Sequence, residues 1–307
     1  MAASEQGPIG FVGIGMMGVP MVNRLLATGH RVALADANPA ALAPYAGREG
    51  ASRPATLAEL GAGSEVVITM LPNGRIVEDV VFGRDGANDG LAAGLKAGSV
   101  VVDMSSSSPV GTRALAQRLA ERGIKLVDAP VSGGVKRAVD GSLAIMAGGD
   151  AADIERLRPV LGAMGRQVFH TGPVGTGHAM KALNNYLSAA GLLAAGEAML
   201  MGQKFGLQAE TMVDVWNAST GRNNATEVKF KPFIIPRTWA AGFSTGLMVK
   251  DLRTALELAE ATGEPADFAR VCTEIWAAAE AMVGPGSDHT EIVRYLEGLG
   301  TPGDEAA

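Results

Sequence analysis

The order of apolar and polar positions divides the chain into two regimes. In the first, short apolar runs rich in β-branched residues recur, each closed by Gly, Pro, Asn or Ser. Ile9–Val12, Val32–Ala35, Val66–Thr69, Val100–Asp103 and Lys125–Asp128 read as strands, with 143–147 and 168–170 as further candidates. Near-continuous apolar runs of this length suit strands buried on both faces of a parallel sheet. The stretches between them are long enough for crossover helices, which predicts a doubly wound α/β sheet.

The pattern changes after Gly172. Gly172-Pro173-Val174-Gly175-Thr176-Gly177 is dense in helix and strand breakers. From His178 to about Phe205 an Ala-, Leu- and Met-rich run continues without proline. Helical patterns then follow at 209–218, 226–233, 243–262, 266–282 and 289–299. The expected organisation is an α/β domain over 1–172, then an all-helical domain over 173–307 that begins with a long linking helix. The tail from Thr301 is expected to fray.

Composition narrows the function classes. A chain of 307 residues suits two domains, and 47% hydrophobic with 19% charged residues is the profile of a globular protein. A net charge of −6 without a basic run argues against nucleic acid as a partner. The single cysteine, Cys272, allows no intramolecular disulfide and reads as a small buried apolar residue. No Cys/His spacing suits a metal, and the four histidines form no triad. No apolar stretch reaches membrane-spanning length, and residues 1–8 lack the layout of a secretion signal, so the expected address is the cytoplasm.

The first candidate strand runs directly into Gly13-Ile14-Gly15-Met16-Met17-Gly18, and a helical pattern follows. In a dinucleotide loop of this spacing Gly13 permits the turn, Gly15 admits the pyrophosphate to the backbone, and Gly18 allows close helix–strand packing. The phosphates then face free N–H groups at a helix N-terminus. Asp36 ends the second strand candidate, where a carboxylate accepts from ribose hydroxyls and repels a 2′-phosphate. Ala37 follows it instead of an arginine. The expected cofactor is NAD, with NADP less favoured; the alternative is that Asp36 only forms the turn before Asn38-Pro39.

With these residues in place, the chain resembles the β-hydroxyacid dehydrogenase family, and within it the 3-hydroxyisobutyrate dehydrogenase branch. Four blocks carry the resemblance: Gly10 to Gly18 with Pro20-Met21; Asp128-Ala129-Pro130-Val131-Ser132-Gly133-Gly134; Gly175-Thr176-Gly177 with Lys181 and Asn184-Asn185; and Gly242-Phe243 with Leu247-Met248-Val249-Lys250-Asp251-Leu252. The 219–222 and 288–291 stretches are similar to that branch as well.

The resemblance implies a Rossmann-type fold and hydride transfer between NAD and a short 3-hydroxy acid. It implies Lys181 as general acid/base. Lys181 and Asn185 are i and i+4 on the long helix and so share a face. A lysine, with a free pKa near ~10.4, becomes a base at neutral pH only when burial or a neighbouring cation lowers it. From spacing alone Lys181 reads as a solvated helix lysine; the resemblance reverses that reading.

Ser132, Gly133 and Gly134 offer backbone N–H groups and a hydroxyl to a small carboxylate, or form an ordinary Ser/Gly turn. The resemblance assigns them to the substrate, and assigns Leu71, Pro72, Ser106, Met16, Met17 and Lys250 to the cofactor side. A charge on Lys250 could also help depress the pKa of Lys181. Ser107 stands where the family commonly has an apolar residue. Arg222 suits either a substrate carboxylate or a turn, and His178 has no assigned role.

The expected enzyme oxidises a 3-hydroxyisobutyrate-like acid. The alternatives are a reductase of a semialdehyde, of the tartronate or succinic type, and a dinucleotide sensor without catalysis. An apolar long helix and the family resemblance point to a homodimer or homotetramer.

Overall fold

The computed structural model describes residues 7–299, so the expectation for the tail from Thr301 lies outside the described residues. The chain divides into two compact units, with the boundary between Lys181 and Ala182.

The first unit is built on nine strands among the described residues: β1 Ile9–Val12, β2 Val32–Ala35, β3 Ala51–Ser52, β4 Val66–Thr69, β5 Val100–Asp103, β6 Lys125–Asp128, β7 Val131–Ser132, β8 Ala144–Gly148 and β9 Gln167–Gly172. Their order across the sheet is β3-β2-β1-β4-β5-β6-β8-β7, with β9 also paired to β8. The first six strands are parallel; β8 runs antiparallel to β6 and to β7. The 3-2-1-4-5-6 order is that of a doubly wound dinucleotide-binding sheet.

Strand periodicity explains the two layers beside this sheet. Successive residues point to opposite faces. Phe11, Leu34, Ile68 and Val102 join one core cluster, while their neighbours Val12, Ala33, Val67 and Val101 join another. Both faces are therefore buried, which is why the strands carry no polar alternation.

The helices of the first unit are α1 Gly18–Ala27, α2 Pro39–Leu42, α3 Leu57–Ala62, α4 Gly74–Phe82, α5 Pro109–Ala120, α6 Gly134–Asp140 and α7 Ala151–Met164. Several starts carry their own cap. Asn38, Thr56, Asn73, Ser108 and Asp150 each accept from a first-turn N–H, satisfying donors that a helix start leaves open.

The long helix α8 spans Thr176–Phe205 and contains the division between the units. The second unit continues with α9 Ala209–Asn217, α10 Asn224–Val228, α11 Thr245–Thr262, α12 Asp267–Val283 and α13 Ile292–Leu299. Its core gathers around Trp276, Phe230, Cys272 and Leu252. No helix is long and apolar enough to cross a membrane among the described residues.

The 226–233 helix expected from sequence is two pieces. After α10 the chain turns through a π-helical segment, Phe230–Ile234. Pro232 lies inside it and offers no N–H to a regular helical ladder. The expected starts at Phe243 and His289 also shift: Ser244 caps Leu247 N, so α11 begins at Thr245, and a 3-10 turn, His289–Glu291, precedes α13.

Candidate active site

The glycine loop sits at the carboxyl end of β1, between β2 and β4, where the crossovers diverge to opposite faces and leave a crevice. Each glycine meets a different constraint. Gly13 has φ +102°, and a Cβ there would lie 2.2 Å from the Met70 carbonyl oxygen. A Cβ on Gly18 would lie 2.0 Å from the Gly13 oxygen, yet one on Gly15 would meet nothing within 4 Å. Gly13 and Gly18 are thus needed by the fold itself, whereas Gly15 keeps the space above the loop clear. The donor-rich start of α1 opens beside it.

The adjoining cleft has a volume of about 660 Å³ and is lined by Gly13, Gly15, Met16, Met17, Gly18, Asp36, Leu71 and Pro72, all of which sequence reasoning selected. It is also lined by Leu57, Ile76 and Val80, which that reasoning missed. These apolar side chains come from α3 and α4 and offer a flat ring an apolar wall. Nothing in the loop motif points to them; only the sheet order brings α3 and α4 to this crevice. Asp36 Oδ2 accepts from Ile14 N at 2.6 Å and Oδ1 from Asn38 N at 2.7 Å. The carboxylate thereby fixes the glycine loop and its own turn together. The charged groups around this cleft are Asp36, Asp79, Asp89 and Arg84, and Arg84 faces Asp79 at 3.7 Å. That balance is unfavourable to an additional phosphate.

The loop after β5 is organised by a buried carboxylate. Asp103 Oδ1 accepts from the Thr69 hydroxyl at 2.9 Å and from Ser105 N at 3.0 Å; Oδ2 accepts from the Ser107 hydroxyl at 2.8 Å. The Ser107 hydroxyl is thus turned inward. Ser105 Oγ in turn accepts from Leu71 N at 2.9 Å, tying this loop to Leu71-Pro72. Ser106 lies between these two anchored serines and is half-buried.

A second buried carboxylate holds the start of α8. Asp128, at the end of β6, accepts from Gly175 N at 2.6 Å and from His178 N at 2.8 Å. Burial raises its pKa, opposed by His178 and these backbone bonds. The His178 ring, 1% exposed, lies 2.8 Å from the Thr112 hydroxyl through Nδ1 and 3.2 Å from the Ser105 carbonyl through Nε2. A carbonyl only accepts, so Nε2 carries a hydrogen. His178 therefore joins the β5 loop to the helix that carries Lys181. Sequence reading left His178 without a role because its partners are far apart along the chain.

One turn on, Lys181 Nζ donates to the Val131 carbonyl at 2.9 Å. Val131 and Ser132 form β7, and Gly133 (φ +129°) and Gly134 (φ +66°) lead into α6. The structure thus brings Lys181 to the residue that immediately precedes the Ser132-Gly133-Gly134 loop. Both glycines adopt a backbone that L side chains rarely take.

In the second unit, Asn185 is buried and donates through Nδ2 to Asp251 Oδ2 at 2.5 Å; its Oδ1 accepts from Asn184 at 3.1 Å. Asp251 also pairs with Lys250 Nζ at 3.0 Å. Asp251 fixes the amide of Asn185 and holds Lys250 with the same carboxylate. Arg222 is exposed and faces Glu227 of α10 at 3.7 Å. No group of three or more His, Cys, Asp or Glu side chains suited to a metal ion occurs among the described residues.

Comparison with known proteins covers both units. A family model described as the NAD binding domain of 6-phosphogluconate dehydrogenase matches residues 8–172. A second, described as NAD-binding of NADP-dependent 3-hydroxyisobutyrate dehydrogenase, matches residues 175–296. The chain is 39% identical over 292 residues to 2-(hydroxymethyl)glutarate dehydrogenase of Eubacterium barkeri, covering 94% of each chain. It is 37% identical over 261 residues to NAD-dependent L-serine dehydrogenase of Pseudomonas aeruginosa, covering 83% of this chain and 86% of that one. Among solved structures, 3-hydroxyisobutyrate dehydrogenase of Mycobacterium tuberculosis with L-serine superposes with a TM-score of 0.84 at 35% identity, covering 95% of this chain and 99% of that one.

Proposed function

The chain belongs to the β-hydroxyacid dehydrogenase family, and we propose that it oxidises a short 3-hydroxy acid of the 3-hydroxyisobutyrate type with Lys181 as general acid/base. It is an oxidoreductase acting on a CH–OH group with a nicotinamide cofactor. The observation that carries the site assignment is the 2.9 Å bond from Lys181 Nζ to Val131 O, beside the Ser132-Gly133-Gly134 loop.

The substrate carboxylate is received by the backbone N–H groups and hydroxyl of that loop. Asn185, its amide fixed by Asp251, orients the substrate hydroxyl. In the oxidative direction Lys181, as the free amine, takes the hydroxyl proton while the carbon–oxygen double bond forms and the carbon–hydrogen bond breaks. A bound nicotinamide would supply the hydride acceptor. The reverse direction uses the same groups with Lys181 returning the proton.

Asp36, Ala37 and the acidic surroundings of the cleft favour NAD over NADP. The glycine loop and the start of α1 would hold the pyrophosphate, and Leu57, Ile76 and Val80 would offer the adenine an apolar wall. The resemblance to the family assigns Lys250 to the cofactor as well. Leu183, Leu187, Met201 and Phe205 leave large apolar side chains exposed along α8, which supports a homodimer or homotetramer joined through this helix.

Lys181→Ala tests the assignment. Its kcat should fall about a hundred- to ten-thousand-fold, with NAD affinity largely kept in a fluorescence titration. Turnover near that of the parent enzyme overturns it.

A further inference from the structure

Ser188 stands three residues beyond Asn185 on α8, a spacing that puts both on one face of the helix. Its hydroxyl accepts from Lys229 Nζ at 3.2 Å. Lys229 is only 9% exposed. Burial lowers its pKa to about 8, against the attraction of Asp288, so the amine is still mostly charged at neutral pH.

The Asp288 carboxylate has other work. It accepts from Gly242 N at 2.7 Å, from Thr290 N at 3.0 Å and from the Thr290 hydroxyl at 2.6 Å. An ammonium has three donors, and Ser188 receives one. A long apolar side chain would fill the same space without the cost of desolvating a charge. The backbone around Lys229 is also unusual: the π-helical turn Phe230–Ile234 follows at once, and Arg237 and Trp239 have φ values of +57° and +50°. Such departures gather at functional sites.

We propose that Lys229 and Ser188 form an anion subsite for the substrate's tail, selecting a 3-hydroxy acid that bears a second carboxylate. This rests on the reading that Asn185 orients the substrate, because the subsite continues the helix face on which Asn185 lies.

Three compounds named in the relatives form a matched set. 3-Hydroxyisobutyrate, L-serine and 2-(hydroxymethyl)glutarate share a hydroxymethyl group and a carboxylate on one carbon. The remaining substituent is a methyl, an ammonium, or a two-carbon arm ending in a carboxylate. A cation at the tail position attracts the last, is indifferent to the first and repels the ammonium.

The test measures kcat/KM with NAD for all three in the parent enzyme, Lys229→Met, Lys229→Arg and Ser188→Ala. The parent should favour the dicarboxylate over 3-hydroxyisobutyrate by about tenfold or more. In Lys229→Met that ratio should collapse, mainly through KM, and serine should gain relative to the dicarboxylate. Lys229→Arg should keep the preference, and Ser188→Ala should weaken it in the same direction if Lys229→Met does not fold. Equal ratios in the parent and a folded Lys229→Met, or a parent that prefers 3-hydroxyisobutyrate or serine, overturn the subsite and leave the dehydrogenase reading intact. No turnover of any of the three overturns both.

Discussion

The backbone N–H of His178 donates to Asp128 Oδ2 across 2.8 Å, so a carboxylate at the end of a strand holds the first turn of the helix that carries Lys181. Asp128→Ala leaves two buried N–H groups, those of Gly175 and His178, without their acceptor. The expected cost is roughly 1–3 kcal/mol of stability, read by urea unfolding. A fall in kcat should accompany it, because Lys181 lies on the next turn. If stability falls and kcat per folded molecule does not, the carboxylate anchors the fold without positioning the lysine.

The glycine loop yields a contrast between two single substitutions. Gly15→Ala adds a methyl that meets no protein atom within 4 Å, whereas on Gly18 the same methyl strikes the Gly13 carbonyl. Gly15→Ala should melt near the parent temperature yet bind NAD about ten- to a hundredfold more weakly, since the added carbon occupies the approach to the pyrophosphate. Gly18→Ala should lower the melting temperature outright. Unchanged NAD affinity in Gly15→Ala would count against this loop as the pyrophosphate cradle.

Asp36 and Ala37 predict a switch of coenzyme. Replacing Asp36 by Ser removes a negative charge, and replacing Ala37 by Arg adds a partner for a 2′-phosphate. The double variant should move the NADP-to-NAD ratio of kcat/KM by about a hundredfold or more toward NADP. Asp36 also accepts from Ile14 N, so NAD binding should weaken in the same variant.

Acidification should act on the helical unit through His289. Burial first, then the nearby Lys229 charge, lower its pKa to about 4, against Asp288 and the Phe243 carbonyl. Its folded pKa lies below the unfolded value of 6.5. The unfolded chain therefore binds the extra proton, and stability is lost as pH falls from 6.5 toward 4. His289→Gln should flatten that limb of the stability profile. A parallel decline in parent and variant would assign the loss to other groups.

Much of the first unit was legible from sequence, because β1, β2, β4, β5 and β6 are four-residue segments with apolar centres, paired in register within one sheet. β3 and β7 have two residues each, too few to carry a period. The reversal of β8 against β6 was equally invisible, since an apolar strand does not reveal its direction. Within the candidate site, the glycine loop and Asp36 stood out because their spacing is local, whereas Lys181 stood out only through the resemblance to the family. The partners that organise them did not. Asp103 and Ser107, Asp128 and His178, and Asp251 and Asn185 meet only once the chain has folded, across separations no motif records.

Cys272 gives the second unit a timekeeper of its own. It is the chain's single cysteine, fully enclosed in the core around Trp276, and burial raises its thiol to about 11. Alkylation requires the thiolate and a path to it, so in the native protein the reagent must wait for this core to open. The first unit holds no competing thiol. The rate at which one label accumulates therefore clocks opening of the helical unit alone, and its slowing on addition of NAD or a hydroxy acid would register ligand binding as protection of a site the ligand never touches.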